Sequence, residues 1–583
     1  MSRDWNIEIA RKIYGIENYV RDTVIDIDSE GYLVIRLGGE VIRIKELIER
    51  YKTDIAYIRV LPMIEKAMDL VYSAFKLVSE SLDFHGRFTP VYPMKVNPTP
   101  VVVEAIMEYG DKYSWGFNTG SIGEVKLLEN YASKYNPRTL IYDGVITENT
   151  IQELLRLRSI GWRVIVDIES EHDLEILSKY PELELGIRVK PLVKLHGKWS
   201  GSVGLGSKFG VTINNLHKLK SEYDFIMKRS TILHMHPGSQ LYRIEDLRNY
   251  FTEVRQVYKE LLKTGFENLQ GIDPGGGMAY PYVDTRDGDE ESPNYTIVDY
   301  FKELISIFRS IDPQPDLFFE GGRFIVSSHR IVVSKVVDIR SYSAIHSIQE
   351  HVLQVRDFNS IEDIRTFLSL IEGLLNRLRS EIPLNNGKRE VYEDLLALLR
   401  EDVPIKLSEL ILSGKIGIED VLKDDKVIRL LITPTKRFVL NMSIFADIPD
   451  VVLVDQYFSP IPIQRLNEKP HVLASISDLT CDSMGEIKEF ISPGVNYDFQ
   501  HPIFTVLDGK LIAIPGIKLK LKGVPLHLLN RGENYYIAFL DTGAYQDTLT
   551  MKHNLIYGAP EIIIRVKNGE IFIEYVKHEE QYT

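Results

Sequence analysis

VYPMKVNPTPVVVEAIMEYGDKYSWGFN, residues 91–118, decides how the chain folds. It opens on a short apolar run, turns at Asn97 and Pro98, and continues with apolar residues recurring at three and four until Gly110 closes the segment. A second short run, SWGFN, follows. Strand, helix and strand in that order read as one unit of a parallel α/β structure, with glycine at the helix end where a left-handed stop is tolerated. Working outward, the same alternation holds from about residue 50 to about residue 325. The strand-like runs are VYPMKV from residue 91, SWGFN from 114, LIYDG from 140, RVIVDIE from 163, LELGIRVK from 183, TILHMH from 231, LQGID from 269 and DLFFE from 316. Between them lie segments of helical period such as ENTIQELLRLRSIG and RIEDLRNYFTEVRQVYKELLKTG. Eight strands with helical crossovers predict a closed (β/α)8 TIM barrel, in which ligands bind at the C-terminal strand ends.

At 583 residues the chain exceeds one compact core. Residues 51–328 read as the barrel, and 329–345, with RIVVSKVVDIR, as a strand of a second domain. Residues 346–432 are rich in Leu, Glu, Lys and Arg at helical period, as in IEDIRTFLSLIEGLLNRLRSEI, and read as a helical insertion. Residues 433–583 return to short strands punctuated by Gly, Pro and Asn, such as RFVLNMSIF, VVLVDQYF, ENYYIAFLD and EIIIRVKNGEIFIEYV, and predict a C-terminal all-β domain, barrel or sandwich. The N-terminal segment 1–50, with VIDIDSEGYLVIRL, is expected to join that β domain.

Composition narrows the function. Hydrophobic residues at 44% and charged residues at 26% are ordinary for a globular protein. A net charge of -14 argues against nucleic acid as a partner, because phosphate-backbone affinity rests on clustered Lys and Arg. Cys481 is the single cysteine, so neither an intramolecular disulfide nor a cysteine-based zinc cluster can form. The start MSRDWNIEIARKIYG is charged from its third residue, and no run is long enough to span a bilayer, so no membrane partner and a cytoplasmic location are expected.

Three strand ends carry candidate chemistry. Lys95 stands in an apolar window, where desolvation is expected to lower its pKa as imine formation with an aldehyde requires; a lone lysine is more often a solvated surface charge, so its company matters. The sixth strand ends in His236, Pro237, Gly238, Ser239 and Gln240, and the seventh in Asp273, Pro274, Gly275, Gly276 and Gly277. Glycine runs alone are usually turns, but two such loops on adjacent strand ends can converge backbone N–H groups and the Ser239 hydroxyl on a phosphate. The eighth strand ends in Glu320, Gly321, Gly322 and Arg323. A carboxylate can hold a pyridine nitrogen protonated and an arginine can grip phosphate; the plainer alternative is a surface ion pair of little worth.

VYPMKVN, GSKFGV, LHMHPGSQL, IDPGGG, EGGR, TCDSMGEI and GAYQ occur in this order over nearly the full chain, and NMSIFADIPDVVLVDQYFSPIPIQRLNEKP covers residues 441–470. Together they resemble the biosynthetic arginine decarboxylases of the alanine-racemase-like decarboxylase group, whose layout includes a helical insertion. The resemblance implies pyridoxal 5'-phosphate as cofactor, Lys95 as the lysine that carries it, and His236 stacked on its ring. It implies Ser239, Asp273, Gly275, Gly276, Gly277, Arg323 and Tyr545 around the cofactor and its phosphate, with Glu320 at the pyridine nitrogen. It places the run from Ile272 to Tyr282 beside cofactor or substrate. Cys481 would come from a neighbouring subunit as proton donor, so that a homodimer or dimer-based oligomer shares its sites, and Asp482 is the candidate partner of the substrate's cationic end. The implied reaction is decarboxylation of L-arginine to agmatine and CO2, the first step of polyamine biosynthesis. Magnesium is associated with the family, but no carboxylate cluster in the sequence reads as its site, so no metal ligand is assigned.

The chain departs from the family pattern at four places. Asn118, Thr119, Gly120 and Ser121 stand where the family has Glu-Ala-Gly-Ser, and Met484 where it has an acid. Pro237 replaces an aliphatic residue and Gly321 a small one. The first two bear on substrate choice, leaving open a decarboxylase of ornithine, lysine or diaminopimelate; a catalytically silent homologue is a further alternative.

Overall fold

The protein is described by a computed structural model covering residues 5–577, apart from 197, 199–202, 290, 342–354, 385, 418–419, 422, 488, 494–502, 508–509 and 515–518. Eight parallel strands close a barrel in chain order: β1 (Phe88–Pro93), β2 (Gly116–Thr119), β3 (Thr139–Tyr142), β4 (Arg163–Ile168), β5 (Glu184–Arg188), β6 (Ser230–His234), β7 (Gly271–Asp273) and β8 (Asp316–Phe319), with β8 pairing back onto β1. The eight runs read from sequence are these eight strands. Ser121, Thr147, Ser170 and Thr212 each accept a backbone N–H at the helix that follows, satisfying a donor the first turn would leave orphaned.

Side-chain parity then builds the site. Val91, Ile141, Ile165, Ile232 and Phe318 form a closed apolar cluster inside the barrel. Their strand neighbours Tyr92, Phe117, Leu140, Leu233 and Leu317 belong to the main core shared with the helices. Gly116, Gly186 and Gly271 take interior positions, where an added Cβ would stand 3.1 Å from Val91, 3.1 Å from Ile232 and 2.9 Å from Phe318 respectively. Two residues further along β2 to β8, the same parity sets Asn118, Asp143, Asp167, Arg188, His234, Asp273 and Glu320 as a polar layer above an apolar floor.

The second sheet is organised around β9 (Arg330–Ser341), which pairs antiparallel with Ile55–Val60, with Tyr536–Phe539 and with Lys436–Leu440. Ile55–Val60 also pairs parallel with Glu561–Lys567. This corrects one expectation: the segment just after residue 50 opens in the second sheet, and the barrel's own strands begin at Phe88. The N-terminal stretch, expected to join the β domain, adds no strand to its main sheet. It forms a three-stranded antiparallel sheet of its own, Ile25–Ile27, Leu33–Leu37 and Glu40–Arg43, because the turn at Ser29–Gly31 folds it back. That sheet docks on the β domain through Leu33 N–H to Ile463 O at 3.0 Å and Leu466 N–H to Gly31 O at 2.9 Å. Helices Ile361–Glu381, Asn386–Arg400, Asp402–Leu412 and Asp425–Ile432 occupy the stretch read as an insertion; its first residues, 346–354, lie outside the described residues. Among the described residues no helix is long and apolar enough to cross a membrane.

Candidate active site

Lys95 lies in the 3-10 turn Met94–Val96 directly after β1. Met94 and Val96 are buried and anchor the turn, while the Lys95 side chain opens into a cavity of about 510 Å³. His236, Gly238, Ser239, Arg323 and Tyr545 line the same cavity, joined by Arg188 and Phe209 from the β5 side and by Asp450, Leu453 and Val454 from the second domain. Residues from β1, β6, β8 and the C-terminal segment thus meet in one chamber.

The loop after β7 is shaped as a cradle. Gly275 and Gly277 have φ of 67° and 95°, which favours glycine, and a Cβ on Gly275 would stand 2.7 Å from Met235 O and 2.9 Å from the His236 ring. Asp273 Oδ1 accepts the Gly275 N–H at 2.8 Å and fixes this turn. Opposite, Arg323 is held by Tyr282, whose hydroxyl accepts from Nη1 at 3.0 Å, by Asp450 at 3.8 Å, and by the Tyr545 ring 4.6 Å from its guanidinium carbon. Its Nε reaches Ser239 Oγ at 3.4 Å. Glu320 and Arg323 are 1% and 4% exposed, so they are not the surface pair that was the plainer alternative.

Electrostatics corrects the expectation for Lys95. Burial pulls its ammonium down, but Glu320, Asp143 and Tyr545 together outweigh that, and the pKa is raised. The apolar window of the sequence did not show these neighbours, which come from other strands and from the C-terminal segment. His236 is pushed down to about 4, chiefly by burial, against the pull of Glu320 3.4 Å away, so the imidazole is neutral. Glu320 resists burial and is held well below the usual carboxylate range by His236, His234 and Lys95. Asp273 is raised, by burial first and by the Glu320 charge.

Other assignments fall differently. Ile272 alternates with the inward Gly271 and Asp273, so its side chain packs into the barrel–helix layer and not into the cavity; this corrects its reading as a substrate neighbour. Tyr282 stands behind Arg323 and also meets Ser327 at 3.1 Å, a supporting place and not a lining one. Cys481 and Asp482 sit on an exposed loop, where Cys481 Sγ contacts Asn554 Oδ1 at 3.4 Å and Asp482 faces His553 at 3.4 Å, and neither lines the Lys95 cavity. Sequence reading missed Asp167, His234, Arg188 and Asp450. The first three were within reach, since each lies two residues beyond an interior position of its strand.

Residues 68–327 match the family model described as the pyridoxal-binding domain of pyridoxal-dependent decarboxylases. Over residues 68–327 the chain is thus similar to that pyridoxal-binding domain. It is 28% identical to a biosynthetic arginine decarboxylase of Geobacter sp. (strain M21), over 94% of this chain and 86% of that protein. The biosynthetic arginine decarboxylase of Campylobacter jejuni has the same fold, with a TM-score of 0.71 at 24% identity over 98% of this chain and 90% of that one. A diaminopimelate decarboxylase of M. jannaschii follows at 0.58 and 16% identity, covering 95% of each chain.

The residues present fit pyridoxal phosphate. Both carboxylate oxygens of Glu320 are buried without a hydrogen-bond partner, orphans of the kind a polar heterocycle can engage. The glycine loop packs so closely on His236 that a Cβ on Gly275 would collide with its backbone and ring, which sets a glycine-rich backbone of the kind that can hold phosphate beside the imidazole. His234, Asp273 and Glu320 also bring ligand-capable atoms within 4.8 Å of one another, but a histidine held protonated, as His234 is, makes a poor metal ligand, and no metal is assigned there.

Proposed function

We propose that this chain decarboxylates L-arginine to agmatine and CO2, the reading its arginine decarboxylase relatives and the Lys95 chamber support together. Bound pyridoxal phosphate supplies an electron sink for the pair released when the bond to the carboxylate breaks. Lys95 would carry the aldehyde of the cofactor, Glu320 would meet its ring nitrogen, and His236 would lie against its ring. Gly275, Gly276 and Gly277 with Ser239, Arg323 and Tyr545 would hold the phosphate. The neutral His236 imidazole adds no second cation beside Lys95, so the Glu320 carboxylate remains the charge that the ring nitrogen meets. Leu453, Val454 and Phe209 give the chamber an apolar rim.

Within the cavity lining the carboxylate is Asp450, already engaged by Arg323. A guanidinium needs a further acid, and Asp482 of a second copy is the candidate, with Cys481 beside it to return the proton that replaces CO2 at the α-carbon. The working unit is therefore a homodimer or a dimer-based assembly, and the single cysteine suits the cytoplasm. Met484 and Asn118, neutral where the family has acids, are the positions through which ornithine, lysine or diaminopimelate would be favoured instead. Release of CO2 from arginine, ornithine, lysine and diaminopimelate by purified holoenzyme tests the proposal. Agmatine as the main amine product is expected; turnover of another of these at higher kcat/KM overturns the arginine assignment.

A further inference from the structure

Against Glu320, and outside the residues that line the cavity, lies a pair to which the sequence reading gave no role. His234 ends β6 and Asp167 stands near the end of β4; both side chains have no exposed surface. His234 Nδ1 meets Asp167 Oδ2 at 2.5 Å, and the other ring nitrogen, Nε2, points at Glu320 Oε1 across 3.6 Å without a hydrogen-bond partner of its own. On the far side of the same carboxylate, His236 Nε2 stands 3.4 Å from Glu320 Oε2. Glu320 is thus bracketed by two imidazoles, of which only His234 has an aspartate at its back.

We propose that Asp167 and His234 are positioning residues for the decarboxylation: with its Nδ1 proton held by Asp167, the His234 ring directs an Nε2 proton at Glu320 Oε1 and so fixes the orientation and charge of the carboxylate that faces the cofactor's ring nitrogen. The inference rests on the cofactor and not on which amino acid is decarboxylated. Geometry sets the roles. A ring nitrogen 2.5 Å from a buried carboxylate oxygen carries its proton toward that oxygen, which fixes ring orientation in the way an anchoring carboxylate does behind a catalytic histidine. The groups that act on His234 are Asp167, Asp273, Glu320, Glu169 and, with opposite sign, Arg188. Burial lowers its pKa, yet the acids outweigh burial and raise it to about 9, whereas His236 falls to about 4. One bracket is therefore an imidazolium and the other a neutral ring. At 3.6 Å the Glu320 contact is an ion pair longer than a hydrogen bond; it falls on Oε1, while His236 stands at Oε2.

The test uses selectively ring-labelled histidine in the cofactor-free protein and the visible spectrum of the holoenzyme, with Asp167→Asn, Asp167→Glu and His234→Gln. In the cofactor-free wild type the His234 resonance, identified by its loss in His234→Gln, is expected to be that of an imidazolium from pH 6 to about pH 8, and in Asp167→Asn to titrate below pH 7. In the holoenzyme, Asp167→Asn and His234→Gln are expected to shift the cofactor's visible band and make it pH-dependent where the wild-type band is constant. Their kcat should fall at least ~30-fold while KM changes less than ~3-fold, and Asp167→Glu should restore most of both. A His234 that is neutral in the wild type at pH 7 overturns the proposal, as does a His234→Gln enzyme with unchanged spectrum and kcat. If Asp167→Asn does not fold, the His234→Gln spectrum and the wild-type resonance decide alone. Because the resonance is read without cofactor or substrate, its outcome is separate from that of the substrate panel.

Discussion

Lys95 shows how far one residue can be read from its neighbours in sequence. Its apolar flanks alone did not set it apart from a surface lysine, and they pointed to a lowered pKa; the charges that raise it arrive from β3, β8 and the C-terminal segment, and sequence proximity does not report them. The Lys95→Ala protein is expected to bind pyridoxal phosphate without a borohydride-fixable visible band and to lose at least ~10³ in kcat/KM; a band that persists and bleaches would show that another amine carries the cofactor. His527 offers a stability prediction away from the site. It is fully buried as a neutral ring, with Nδ1 at 2.7 Å from Tyr535 Oη and Nε2 donating to Glu468 O at 3.0 Å, and burial pushes it down to about 4. A depressed histidine pKa means that the unfolded chain takes up its proton first as pH falls. Its contribution is therefore whole above pH 6.5 and is lost between 6.5 and about 4, up to about 3 kcal/mol in all. Urea denaturation of the wild type and of His527→Gln at pH 7 and pH 4.5 checks this: the variant is expected to lose less stability over that interval.

At the scale of elements, the barrel was legible because eight short apolar runs and their amphipathic crossovers have distinct periods, and parity along each strand then carries site residues inward two at a time. What stayed illegible were pairings between segments far apart in the chain. The turn that bears Lys95 is tied to the loop that bears Tyr545: Tyr545 N–H donates to Val96 O at 2.7 Å, and Asn97 Nδ2 donates to Gly543 O at 2.8 Å and to Asp547 Oδ2 at 2.7 Å. Asp547 is in turn gripped by Arg59 through two bonds of 2.9 and 3.0 Å and approached by Arg330 at 3.3 Å. No local pattern announces contacts separated by about 450 residues. Asn97→Ala removes these two bonds and the one its Oδ1 accepts from Thr99 N–H at 3.0 Å, and strands buried acceptors, at a cost of about 1–3 kcal/mol. Because it loosens the Lys95 turn from the Tyr545 loop, cofactor affinity is expected to fall with stability. Titration of cofactor-free protein with pyridoxal phosphate, beside a urea midpoint, checks whether the two move together. Gly275→Ala acts within one element only: its positive φ and a Cβ 2.7 Å from Met235 O should weaken cofactor binding at least ~10-fold with a modest loss of stability.

For the molecule as a whole, the question is where the missing half of the site comes from. In the proposed reading one chain would supply the lysine, the ring-nitrogen acid and the phosphate grip, yet Cys481 and Asp482 lie on an exposed loop outside the lining of its chamber. Exposed Leu479, Met484 and Leu555 border that loop, and Leu453, Leu549 and Phe209 stand partly exposed where the cavity opens. If two copies meet across these faces, a two-fold axis makes each loop serve the other's chamber, and the contribution is reciprocal. Mixing Lys95→Ala with Cys481→Ala subunits separates the arrangements. When both groups of a site belong to one chain, every chain in the mixture carries a damaged site and activity stays at the level of the separate variants. When they belong to two chains, random reassortment makes about half of the dimers mixed; in each of these one site takes Lys95 and Cys481 from unaltered positions while the other takes both substitutions. About one quarter of all sites are then intact. Recovery of about 25% of wild-type CO2 release after dissociation and reassociation is the expected result, and no recovery, with mixed dimers shown to have formed, assigns proton return to a group within the single chain.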